Sequence, residues 1–191
     1  MAAQGDIISN LLDKHTLLDN EKNTWHGAQT PQYIIKCADF FSSDLEGFED
    51  DGAPCFGIRH GASRLITYNS SGQLSGDGKI LTSDTMVCMK YGDWGPIIYQ
   101  YMVEGRTLEL LNIWRFISVE GTKKCIQELN YKQCQIKTYK QYLIGEDMEY
   151  IVFSFGYVWV EDACIVYDHT GKNTGKVATS FSIGTLKVES K

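Results

Sequence analysis

Residues 148–160, MEYIVFSFGYVWV, are dense in β-branched and aromatic residues and have no helical period. Read with a period of two, one face carries Ile151, Phe153, Phe155, Tyr157 and Trp159, and the other carries Tyr150, Val152, Ser154, Gly156 and Val158. An antiparallel strand with one face in water should have one polar face. This stretch has almost none, so it predicts a strand at the centre of a closed barrel or one that another subunit partly covers.

The rest of the main body predicts more strands, separated by turns rich in Gly, Ser and Asn. The predicted strands are 32–38, 55–60, 80–90, 107–118, 124–142 and 177–184. One helix interrupts them, with Asp93 as its N-cap, an apolar face that includes Ile98 and Tyr101, and Gly105 as its C-terminal stop. This order predicts a mainly β fold: a small antiparallel β-barrel or sandwich with one short α-helix.

Two strand patterns carry further detail. In the stretch 124–142, apolar residues first alternate through Leu129 and Tyr131 and then resume at Cys134. A three-residue step in a period of two predicts a β-bulge. The last strand alternates between an apolar face and a face of small and polar residues. The apolar face is Val177, Thr179, Phe181 and Ile183, and the small face is Ala178, Ser180, Ser182 and Gly184.

Length and composition predict a single globular domain. The chain has 191 residues, of which 43% are hydrophobic and 22% charged. We expect residues 1–30 to form an N-terminal extension with a possible short amphipathic helix, and 31–191 to form the domain. The formal charge of -6 argues against nucleic acid as the main partner. No stretch has the length of a membrane span, and no signal peptide is visible.

The residues that usually carry chemistry form no recognisable constellation. The six cysteines include no C-x-x-C pair, and we expect them to be reduced and structural. We expect His60 to be a satisfied structural residue and His169 a surface residue. The sequence contains no nucleophile elbow, P-loop or dinucleotide fingerprint. It therefore predicts a protein that is not an enzyme and that uses no cofactor and no metal.

Several stretches together resemble the haemolysin-coregulated protein (Hcp) family, the tube proteins of bacterial type VI secretion systems. Residues 89–105, MKYGDWGPIIYQYMVEG, are similar to the strand end, short helix and Gly of that family. Residues 127–143 and 149–160 resemble its long strand and the following strand of alternating aromatics. CFGIRHGASRLITYNSSGQLSGDGK, residues 55–79, matches its second strand and long extended loop, and residues 177–185 match its last strand.

The resemblance implies a structural role in bacterial secretion and virulence. Members build a β-barrel with one helix, six copies form a ring, and rings stack into a tube that a contractile sheath propels. The implied partners are copies of the chain itself, sheath proteins, spike and baseplate proteins, and secreted effectors, with no nucleic acid and no membrane insertion. The implied location is the bacterial cytoplasm, followed by secretion or injection without a signal peptide.

The resemblance also implies two groups of site residues. An extended loop should contact the next ring through Arg64, Leu65, Ile66 and Tyr68. The lumen wall should be small and polar, with the candidates Ser154, Gly156, Ala178, Ser180, Ser182 and Gly184. The alternatives are a monomeric β-barrel that binds a small apolar ligand and a protein like a phage tail tube. A different interpretation of Leu65 and Ile66 is an ordinary core strand.

Overall fold

The computed structural model of this chain describes residues 33–40, 52–64, 67–68, 74–75, 80–119, 122–144, 148–183 and 188–190. Two predictions therefore lie outside the described residues: the N-terminal helix, and the positions of Leu65, Ile66 and Gly184. The following structural statements concern the described ranges.

The described chain is mainly β-strand, with one α-helix between the seventh and eighth strands. The strands are β1 (Tyr33–Lys36), β2 (Ala53–Arg59), β3 (Ala62–Arg64), β4 (Thr67–Tyr68), β5 (Leu74–Ser75), β6 (Ile80–Thr82), β7 (Thr85–Lys90), β8 (Thr107–Val119), β9 (Thr122–Ile144), β10 (Met148–Gly156), β11 (Trp159–Tyr167), β12 (Asn173–Ser182) and β13 (Val188–Ser190). The helix, α1, is Trp94–Glu104.

Six strands close into an antiparallel barrel. They follow the order β10-β7-β2-β1-β8-β9, and β9 pairs again with β10 to complete the circle. A sheet made of β11, β12 and β13, here called the wing, continues from the first half of β9 beyond the barrel. The predicted barrel with one helix is confirmed. The wing consists of the three strands of the same sheet that are not part of the closed barrel.

The aromatic strand β10 is buried on both faces within one subunit. Ile151, Phe153 and Phe155 are fully buried in the barrel core. On the opposite face, Val152 is 4% exposed and packs with Cys88 of β7 in a smaller apolar cluster that Met86 and Tyr142 also join. Side chains of the neighbouring strands β7 and β9 therefore cover the outward face of β10. This explains why neither face of the strand is polar, without a contribution from another subunit.

The predicted bulge lies in the middle of β9. Gln133 has φ 52°, the only positive φ among the described residues other than glycine. Pairing to β11 ends at Lys132, and pairing to β10 begins at Gln135. Tyr131 and Cys134, on either side of Gln133, both point into the core. The left-handed residue thus shifts the phase of the strand by one position.

Helix α1 ends as predicted but begins differently. Gly105 has φ 64°, and the Gly105 and Arg106 amides donate to the carbonyls of Met102 and Tyr101. This is the left-handed glycine stop that the sequence predicts. Asp93 occupies the predicted cap position, but its backbone is already helical and its side chain makes no capping bond. The prediction of a side-chain cap at Asp93 is therefore wrong.

Two predicted strands differ from the structure. The stretch 80–90 divides into β6 and β7 because the Ser83 amide and hydroxyl both donate to the Gly61 carbonyl, at 3.0 and 2.7 Å, and turn the chain there. In the last strand, Val177 is 61% exposed although it lies on the face predicted to be apolar and covered. Val177 lies in the wing beyond the end of the barrel, so the barrel core does not cover its side chain.

Replacement of Gln133 tests the bulge. Gln133→Val should destabilise the protein by about 1–3 kcal/mol, because a β-branched residue strongly resists a left-handed backbone. Gln133→Gly should remain within about 1 kcal/mol of the parent, since glycine adopts this conformation freely. Urea unfolding of both variants measures the difference. Equal stability of the Val and Gly variants would show that the backbone there is not constrained.

Candidate functional site

Among the described residues, those of β10 and β12 that are predicted to form a lumen wall lie on the same side of the sheet. Ser154 lies opposite Thr138, and Ser182 lies opposite Trp159, on the side of the sheet that points away from the barrel core. Ser180 pairs with Glu161 and Ala178 pairs with Ala163 on the same side. We call this side of β9 to β12 the outer face. The register groups Ala178, Ser180 and Ser182 along β12, whereas Ser154 lies on β10, which does not pair with β12. Their role as a lumen wall stays a prediction.

The members of this group differ in how much of each side chain is accessible. Ser154 is 3% exposed and shares a 2.7 Å hydrogen bond with the Thr138 hydroxyl, and Ala178 is 8% exposed. Ser180 and Ser182 are half-buried. Within one subunit, the accessible small residues of the outer face are therefore the two serines of β12.

Gly156 lies where β10 ends against the long side chain of Lys137. A Cβ atom at this position would come within 2.8 Å of the Lys137 Cε atom. The Lys137 ammonium group lies 2.6 Å from the Asp84 carboxylate, with both side chains substantially exposed. Glycine at this position thus leaves room for the Lys137 side chain to reach Asp84.

Charged side chains that sequence analysis did not identify complete the outer face. The Lys176 ammonium group lies 2.7 Å from Glu128 and 3.3 Å from Glu161, and joins β12 to β9 and β11. The hydrogen bond to Glu128 is the main reason that the pKa of Lys176 is raised. The Lys132 ammonium group lies 4.5 Å from the centre of the Trp159 ring. The contacts of Lys176 pair opposite charges across neighbouring strands, and that of Lys132 places a cation over an aromatic ring. Both depend on the strand register and cannot be predicted from sequence spacing.

A cleft of about 480 Å³ opens beside the bulge of β9. Its lining is about half polar and half apolar, and consists of Thr107, Gln133, Gln135, Lys137, Gly156, Tyr157 and Val158. The Gln135 amide already donates to the Thr107 hydroxyl at 3.0 Å. An open cleft with this mixed lining differs from the predominantly apolar, concave pockets that bury apolar ligands.

The predicted extended loop contains short paired strands, here called the arm (residues 62–82). Ala62 to Arg64 pair with Ile80 to Thr82, and Thr67 and Tyr68 pair with Ser75 and Leu74. These pairs form two separate small sheets that are not hydrogen-bonded to the barrel sheet. Of the predicted contact residues, Arg64 ends β3 and Tyr68 belongs to β4.

The cysteines are free thiols, and most are held in their neutral form. Burial raises the pKa of Cys37 and of Cys134 to about 12, and that of Cys125 to about 11. Cys164 is exposed. A protonated thiol is a poor nucleophile and a poor metal ligand. These values explain why buried cysteines here act as small apolar residues.

The described ranges contain neither a candidate metal centre nor a membrane-spanning helix. Among these residues, no group of three or more His, Cys, Asp or Glu side chains is arranged to hold a metal ion. No described helix has the length and apolar character needed to cross a membrane. The absence of catalytic activity, cofactor and metal stays a prediction.

Comparison with known proteins gives a result at the level of structure only. No protein-family model and no curated protein matches the sequence. A solved structure described as a type six secretion system protein is 20% identical, with a TM-score of 0.72, and the match covers 84% of this chain and all of that one. Hcp1 from Salmonella typhimurium is 8% identical, with a TM-score of 0.63 over 82% of this chain and 97% of its own.

A further solved structure, described as an Hcp protein, agrees with these. It is 16% identical, with a TM-score of 0.60, and the match covers 78% of this chain and 98% of that chain. Identities this low establish a shared fold. The resemblance that the sequence predicts is thus confirmed at the level of structure: this chain has the fold of the Hcp proteins of type VI secretion systems.

Proposed function

We propose that this chain is a tube protein of a type VI secretion system. Six copies form a ring through residues 31–191, and rings stack into a tube that a contractile sheath propels and that carries effector proteins. Its partners are other copies of the chain, sheath proteins, and spike and baseplate proteins. The protein leaves the bacterial cytoplasm with the tube, and residues 1–30 form an extension of the domain.

The observation that carries this proposal is the fold: a closed barrel with one helix, in a chain that matches solved Hcp and type six secretion system proteins over most of its length. A wing outside the barrel exposes apolar side chains that water solvates poorly. Val166 is 42% exposed and Val177 is 61% exposed on the side of the wing that continues the barrel interior. Apolar surface next to sheet edges is typical of subunit contacts, and closure into a ring covers it.

The alternative of a monomeric barrel with an apolar ligand in its interior finds less support. The aromatic side chains predicted to line such a cavity pack against one another. The rings of Tyr131 and Phe155 meet edge to face at 5.0 Å, and both residues are fully buried. An interior filled in this way leaves the aromatic face no ligand to contact.

Light scattering coupled to size-exclusion chromatography tests ring formation. At high micromolar concentration and low salt, we expect a particle of six times the 21.6 kDa mass of one chain. The physical reason is the burial of the exposed wing residues between neighbouring subunits. A strictly monomeric protein under these conditions would contradict the proposal.

The arm is proposed to contact the next ring, and a double substitution tests this role. Leu65→Asp with Ile66→Asp should leave rings intact and abolish tubes in electron micrographs, because carboxylates do not enter an apolar contact without a partner. Leu65→Met with Ile66→Leu keeps the apolar character and should still form tubes. Tubes that persist with the Asp pair would overturn the assignment, as would an Asp variant that fails to fold, since this would identify the two residues as core.

The proposed lumen wall is tested by matched tryptophan substitutions. Ser182→Trp should change the free energy of unfolding by no more than about 0.5 kcal/mol, because Ser182 is half-buried on the outer face. It should nevertheless impair effector export, since a large ring would project into the conduit. Ser154→Trp, at a site 3% exposed, should destabilise by roughly 2 kcal/mol or more. Unfolding of the Ser182 variant, or undiminished export by it, would contradict the assignment.

A further inference from the structure

His60 occupies the joint between the barrel and the arm. It follows the last residue of β2, and β3 of the arm begins two residues later. On the returning side of the arm, Ser83 donates two hydrogen bonds to the carbonyl of Gly61. Among the described residues, the base of the arm consists of His60 and Gly61 on one side and of Ser83, Asp84 and Thr85 on the other.

The His60 ring is inserted among aromatic side chains of the barrel. Its centre lies 5.6 Å from that of Tyr131 and 6.1 Å from that of Tyr157. Its Nδ1 atom lies 3.4 Å from the hydroxyl oxygen of Thr85, a fully buried residue. A neutral imidazole packs well here because it adds apolar contact area and its Nδ1 atom can accept a hydrogen bond from the Thr85 hydroxyl.

The two neighbouring tyrosines are themselves poorly solvated. Neither the Tyr131 nor the Tyr157 hydroxyl has a hydrogen-bond partner within the described ranges. Burial is the largest cause and raises the pKa of both tyrosines, and the Thr85 hydroxyl opposes this effect at Tyr131. Both rings stay neutral at physiological pH. The two tyrosines therefore carry no negative charge that could stabilise a protonated His60 ring.

The charged groups near His60 are few. Asp162, exposed on β11, raises the pKa of His60, but this effect is smaller than the lowering by desolvation. Asp162 already accepts a hydrogen bond from Gln127, and Asp84 is paired with Lys137. The buried Cys134 thiol is neutral because its pKa is raised to about 12. The aromatic rings attract a cation only weakly and do not replace the hydrogen bonds that an imidazolium makes in water.

We propose that His60 is a pH-sensitive latch that fixes the arm to the barrel while its ring is neutral and releases the base of the arm when the ring is protonated. The charged ring can regain hydration most easily by swinging away from Tyr131 and Tyr157, because it lies outside the regular strand β2. This movement would pull on Gly61 and break its bonds to Ser83, while the barrel strands stay paired. The latch acts within one subunit, and it would regulate stacking of rings under the function proposed above.

The direction of the effect follows from the burial of His60. Its folded-state pKa lies below the ordinary value of 6.5. Above pH 6.5 the His60 ring is neutral, and it fully stabilises the closed state, in which the base of the arm is fixed to the barrel. This stabilisation is lost as the pH falls from 6.5 through the folded-state pKa. Each unit by which burial lowers the pKa corresponds to about a tenfold change in the equilibrium between closed and open arm.

Hydrogen exchange of the arm amides tests the latch. Protection factors are measured at pH 7.5 and pH 5 in dilute protein without tubes, and are corrected for the intrinsic effect of pH on exchange. The amides compared are those of the arm, 62–64 and 80–82, and those of the barrel strand β10. In the parent chain, arm protection should fall about tenfold for each unit of His60 pKa depression, whereas β10 protection should not change. His60→Phe and His60→Gln should remove this dependence, since neither residue titrates. His169→Gln, at an exposed histidine, should retain it.

Two results would overturn the latch. One is a parallel loss of arm protection in the parent chain and in both His60 variants. The other is a His60 pKa, measured by NMR, that equals the ordinary value for histidine. The exchange measurement reports on a single subunit, so a negative result would contradict the latch and not ring formation. Conversely, a protein that forms no ring could still contain the latch. His60→Gln keeps the comparison valid if the Phe variant does not fold.

Discussion

The constraint on which the structure depends is the double pairing of β9. This strand, Thr122–Ile144, pairs with β8 and β11 along its first half and with β10 along its second half. Closure of the barrel and attachment of the wing both require one strand to change partners midway. The left-handed backbone at Gln133 makes this change possible, because it turns the sheet without interrupting the sequence of core side chains.

Several features could be predicted from the sequence because they have local causes. The step from Tyr131 to Cys134 identified the bulge, and Gly105 identified the end of the helix. Features that depend on distant partners could not be predicted. The break at Ser83 requires the carbonyl of Gly61, and the burial of Ser154 requires Thr138 on another strand. Exposure of Val177 depends on where the barrel ends, which no local pattern encodes.

The candidate site shows the same division. Alternation along β12 was enough to group Ala178, Ser180 and Ser182 on one face, but the accessibility of each side chain depends on its neighbours. Lys176 joins Glu128 and Glu161 only because three strands are in register. The result is an outer face of small side chains and balanced charges, a surface that would make weak contacts with diverse proteins passing along it.

A cryo-electron microscopy reconstruction of the purified assembly would show both the symmetry of the ring and the direction in which each face of the subunit points. We expect a six-fold ring in which Ser180 and Ser182 line an open lumen and the exposed wing residues Val166 and Val177 lie between subunits. A monomeric particle would contradict this expectation. A ring that buries Ser182 in a subunit contact and turns the opposite face of the wing toward the lumen would also contradict it.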